Sequence, residues 1–283
     1  MKWVLLVLAG WSTLTGGLFL GSLSGGMAAQ LFSLSRNSQL LVQGLVMSGL
    51  VVPVILYLYK HVYRMTGDKP KIPVYSWKKL YHFITGVLLA MALASLGFII
   101  AAYLGWIVIE KWHAPDQWFA ALLINIVIAF FYEALPEELA MRGMLFDVLR
   151  HKFAAWLAVL FQTLLFLSVP LAVSQIQALV GLTPGNFINM PYIILILCFG
   201  ICLQLIRIWT KSLWATIGFH LGYLEIARFV IWPDGYGASP IITYHDAELG
   251  LGGVFISIGM IVVGGIIVSL IIIGVKRIIW KSV

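Results

Sequence analysis

The chain has 283 residues, of which 61% are hydrophobic and 10% charged, against roughly 25% charged in an ordinary soluble domain. So little polar surface excludes a soluble enzyme, a disordered chain and a secreted disulfide scaffold. The formal net charge of +7 then reads as a topology signal for a polytopic membrane protein, and no nucleic-acid partner is expected.

A membrane helix needs about 20 mostly apolar residues. Eight segments qualify, at 3–32, 39–63, 80–108, 118–149, 153–174, 190–209, 212–232 and 250–275. In the first, Gly17, Gly21 and Gly25 repeat at i,i+4 and offer one face for close packing. Its apolar stretch also exceeds a signal-peptide core, so a retained helix is expected. After the second span comes a basic loop with Lys60, Arg64, Lys69, Lys71, Lys78 and Lys79, which assigns that loop to the cytoplasm. Alternation then places Arg150, Lys152, Arg207, Lys211, Lys276, Arg277 and Lys281 on the same side, while Glu110, Asp116, Asp234, Asp246 and Glu248 fall in outer loops. The expected architecture is all-α: a single membrane domain over 1–283, about eight spans, both termini cytoplasmic, multi-pass in the cell membrane.

The fourth span holds ionisable groups that need a reason, since each costs about 2.5–3.5 kcal/mol at a helix centre on insertion scales. They are Glu133, Glu137, Glu138 and Arg142, grouped around Pro136. Proline cannot continue an intact hydrogen-bond ladder, so a kink or restart is predicted there. A restart would set Glu137 and Glu138 in a first helical turn, facing free N–H groups. Glu138 and Arg142 stand four apart in the favourable order for an ion pair. Glu133 and Glu137, also four apart, form a like-charge pair suited to sharing one proton. Carboxylates so placed suit general-base chemistry.

Cys198 and Cys202, in the sixth span, read as core residues and say nothing about redox compartment. The seventh span adds His220, Glu225 and Arg228, the last two three apart and read as structural. At about 1.5 Å per residue, Glu137 and His220 sit at similar depths, roughly 14–18 Å from their cytoplasmic ends. That depth allows one shared cavity open to the cytoplasm.

Glu137-Glu138-Leu139-Ala140-Met141-Arg142 fits Glu-Glu-x-x-x-Arg, and Ser212-Leu213-Trp214-Ala215 leads into His220. Together these blocks resemble the first and third motifs of the CAAX prenyl endopeptidase and bacteriocin-processing (CPBP, or ABI) family of intramembrane proteases. The resemblance covers approximately 118–230. It implies that Glu137 acts as base toward a water attacking a peptide carbonyl, that His220 stabilises the oxyanion, and that Glu138 and Arg142 hold Glu137 in place. Two positions depart from the family pattern. Phe166-Leu167-Ser168-Val169-Pro170 carries proline where the second-motif histidine belongs, and Leu224 stands at the third-motif asparagine. Neither Ser168 nor Tyr223, the nearby polar groups, restores the missing ring.

Two readings stay open on these residues: an intramembrane endopeptidase working through Glu137 and His220, and a non-catalytic relative that binds or regulates another membrane protein. A transporter using buried carboxylates ranks behind both, because no inverted repeat is visible. No cofactor is expected. No metal is expected either, although Glu133, Glu137 and His220 could converge, because the sequence has no His-Glu-x-x-His. The expected partners are the lipid bilayer and a membrane-associated peptide or protein.

Overall fold

A computed structural model describes residues 2–67, 80–182, 188–233, 240–247 and 250–281. Lys69, Lys71, Lys78, Lys79, Asp234 and Glu248, used above to assign sidedness, lie outside these residues. The chain is an all-α polytopic membrane protein. Its helices are α1 (Lys2–Phe32), α2 (Arg36–Thr66), α3 (Tyr81–Tyr103), α4 (Pro115–Lys152), α5 (Ala155–Leu179), α6 (Met190–Thr210), α7 (Leu213–Ile226, continued by a π-helical turn, Ala227–Ile231) and α8 (Gly252–Lys276). Among the described residues, seven helices are long and apolar enough to cross a membrane. The segment expected as the seventh span, α7, falls outside that set while being helical throughout Leu213–Ile231. Two compact units divide the chain: residues 1–79 with 127–204, and residues 80–126 with 205–283.

In the first unit, α1 and α2 form a closely packed pair. Ser35 accepts a hydrogen bond from the Ser38 N–H at the start of α2, and Gly67 ends that helix at φ 73°. The α1 glycines face α2 as their spacing implies. A Cβ at Gly17 would collide with the Val51 side chain, and one at Gly21 would stand 3.0 Å from the Gln43 carbonyl.

Pro136 does not break α4. The helix passes through it with right-handed backbone on both sides, flanked by π-helical stretches Phe130–Ala134 and Glu138–Leu145. Widened turns of this kind accommodate a residue that lacks an N–H. The Leu135 N–H already bonds five residues back, to Phe130, so in that register Pro136 should have served the Phe131 carbonyl. Instead the Ser48 hydroxyl of α2 donates to that carbonyl. The expected interruption is therefore replaced by a repair from a neighbouring helix, which the sequence around the proline could not reveal.

In the second unit, α3 lies against α7 with almost no side chain between them. A Cβ at Gly86 would meet the Ala215 carbonyl, and one at Gly218 the Phe83 carbonyl. Only glycine permits helix backbones to approach so closely. Another correction concerns the end of the third span. α3 stops at Tyr103, short of residue 108, and Gly105 at φ 70° turns the chain into strand β1 (Ile107–Trp112). That strand pairs antiparallel with β2 (Ile242–Asp246), from Ile107 opposite Asp246 to Trp112 opposite Ile242, with a bulge at Glu110. Ile107-Val108-Ile109 is β-branched, and a hydropathy window cannot tell such a strand from the tail of a helix.

Candidate active site

Within the first unit, α4 carries the acidic cluster. Glu138 and Arg142 are fully buried, with Arg142 Nη1 3.0 Å from Glu138 Oε1, so the predicted i,i+4 ion pair is present. The Arg142 guanidinium carbon also lies 4.1 Å from the centre of the Phe166 ring, on α5. Cys202, fully buried on α6, is within electrostatic range of Arg142 and Glu138. Glu133 and Glu137, by contrast, keep part of their surface exposed. One carboxylate is thus locked to a cation in the interior, while the adjacent residue in sequence is only half-buried.

On α5, Pro170 sits one turn beyond Phe166 and is partly exposed. Ser168 is committed elsewhere: its hydroxyl donates to the Leu165 carbonyl at 2.7 Å and accepts from Trp11 Nε1 at 2.9 Å.

The second unit holds the other predicted residues on α7. His220 is 3% exposed, Leu224 is half-buried and Glu225 is buried. The Tyr223 hydroxyl pairs with the Ser257 hydroxyl at 2.9 Å, and Arg228 Nη1 donates to Asn125 Oδ1 at 3.2 Å. Glu137 and His220 therefore belong to different compact units, each defined in its own geometry.

These blocks lie where a known family matches. Residues 117–223 fit the family model of type II CAAX prenyl endopeptidase Rce1-like proteins. This segment is Rce1-like. The match includes Glu133, Glu137, Glu138, Arg142, Phe166 and His220, and it stops one residue before Leu224. The chain is a multi-pass membrane protein, and residues 117–223 of it are similar to the CAAX prenyl endopeptidases. No curated protein and no solved structure matches it.

One polar residue of the Rce1-like segment escaped the sequence reading. Tyr192, in the first turn of α6, places its phenol within electrostatic range of Glu137 and Glu133. No spacing links position 192 to the α4 carboxylates; the tertiary fold alone brings them together. Among the described residues, no three His, Cys, Asp or Glu side chains are grouped to hold a metal ion.

Proposed function

We propose that the protein is a CPBP-type intramembrane endopeptidase of the cell membrane, acting on a membrane-associated peptide. Glu137 takes a proton from water; the hydroxide so formed adds to the scissile carbonyl, and the proton passes on to the departing amine. His220 is assigned to the oxyanion, where a donor already aimed at the developing charge lowers the barrier. The observation that carries this reading is the division of labour on α4. Glu138 is neutralised by Arg142 in the interior, and Glu137, next to it in sequence, is only half-buried.

The substrate class follows the name of the matching family: a prenylated peptide ending in a CAAX box. Eight spans with both termini cytoplasmic remain the topology we propose, with the bilayer itself the constant partner. A second reading has its own support. Pro170 and Leu224 occupy positions where the family carries histidine and asparagine, and their side chains supply no hydrogen-bond donor. In that reading the chain is a non-catalytic relative that binds or regulates another membrane protein.

Purified full-length protein in detergent, incubated with a prenylated CAAX peptide beside Glu137→Ala, separates the two. The peptidase reading expects cleavage by the parent alone; equal background in both rejects it. Pro170→His with Leu224→Asn then reads out the missing groups. A gain of about 10²-fold or more is expected if one donor and one acid–base partner are restored.

A further inference from the structure

We infer that Gln162, Thr163 and Gln204 form a recognition site in the first unit for the backbone amides of an extended peptide; this rests on the peptidase reading above. Gln162 and Gln204 are fully buried, and neither the amide nitrogen nor the carbonyl oxygen of either makes a hydrogen bond. Thr163, 1% exposed, leaves its hydroxyl equally unpartnered. Buried polar side chains of folded proteins are almost always hydrogen-bonded, and unpaired ones are costly inside a bilayer. Two carboxamides and a hydroxyl in this condition are held ready for something other than the resting fold.

Their placement ties them to the candidate site. Gln162, Phe166 and Pro170 follow one another at i, i+4 and i+8 along α5, on the face whose Phe166 supports Arg142. α5 and α6 meet at Gly200, where a Cβ would lie 3.1 Å from the Thr163 methyl and 3.5 Å from the Phe166 ring. Gln204 stands one turn beyond that contact. The chemistry of the three side chains selects the ligand. An anionic headgroup calls for a free cation, and Arg142 is already held by Glu138 and Phe166. An acyl chain calls for no polar atom. A carboxamide offers a donor and an acceptor side by side, the complement of a peptide N–H and C=O, and main-chain pairing is the general means of holding extended peptides.

The test measures binding apart from cleavage. Full-length protein carrying Glu137→Ala in detergent is titrated against a fluorescein-labelled, prenylated CAAX peptide by anisotropy, alone and with Gln162→Leu, Gln204→Leu or Thr163→Val. Each glutamine change is expected to weaken binding about tenfold or more. The thermal midpoint should hold or rise, because removing an unpaired buried polar group is neutral or stabilising. Gln162→Met and Gln204→Met, close in shape, replace any leucine variant that does not fold. Parental affinity in both glutamine variants overturns the site. A raised midpoint would then mark the amides as dry structural residues, and a lowered one as water-bridged. Absence of binding by the Glu137→Ala parent also overturns it. Binding by the parent without cleavage by the native protein rejects the peptidase reading and leaves the site standing; cleavage with unaffected variants does the reverse.

Discussion

The Arg142 guanidinium stacks on the Phe166 ring, 4.1 Å from its centre, and joins α4 to α5 within the Rce1-like segment. Phe166 thus has a structural partner on α4, one turn before Pro170 on its own helix. Its contact is with the cation that neutralises Glu138, so this face of α5 still helps fix the segment that carries Glu137. Breaking a buried ion pair from one side strands the other charge, at about 3–5 kcal/mol. Arg142→Ala is expected to lower stability by that order, read as a fall in the thermal midpoint in detergent. Arg142→Met with Glu138→Leu should recover most of it; a double variant no more stable than Arg142→Ala would refute the account.

Ser48 offers a test of how α4 tolerates its proline. Its hydroxyl serves the Phe131 carbonyl that Pro136 cannot. Ser48→Ala is expected to cost about 1–3 kcal/mol, the desolvation of an unpaired buried carbonyl. In a Pro136→Ala background, which supplies a backbone N–H, that cost should shrink. Equal costs in both backgrounds would show that the serine does not act through the proline.

Tyr192→Phe removes a hydroxyl within electrostatic range of Glu137 and Glu133 while preserving the ring. If that hydroxyl assists proton movement at the carboxylates, kcat for peptide cleavage falls by about 10²-fold or more, with KM little changed. A rise in KM at constant kcat would assign the phenol to binding instead.

Outside the spans, burial first and Asp246 second push the Tyr244 phenol of β2 up to about 12. An ordinary tyrosine titrates near 10. The folded state therefore holds its proton more firmly than the unfolded chain. This contribution is complete below pH about 10 and is lost as pH rises through about 12. Thermal midpoints followed across that interval should fall less steeply in Tyr244→Phe than in the native protein. Parallel curves would remove Tyr244 from the account.

Much of this was readable in the linear sequence. Seven of the eight expected stretches are, among the described residues, helices long and apolar enough to cross a membrane, with ends shifted by a few residues, because length and hydropathy determine which segments suit a bilayer. The Glu138–Arg142 pair was legible because helical spacing alone brings those side chains together. Tyr192, Gln162 and Gln204 were not, since their neighbours come from other helices and no local period encodes such meetings. Ser48 escaped for the same reason: the orphaned carbonyl and the hydroxyl that serves it lie 83 residues apart. The β1–β2 ribbon was missed because its first strand opens on Ile107-Val108-Ile109, as apolar as the helix before it.

That ribbon also sets an order of events during synthesis. β1 leaves the ribosome roughly 130 residues before its partner β2, which at about 5–20 residues per second is a wait of some 7–26 s. Throughout that interval Ile107, 2% exposed in the finished fold, has no strand beside it. The second unit therefore cannot close before β2 arrives, late in translation, and a chaperone or insertase that shields a nascent strand would have time to act here.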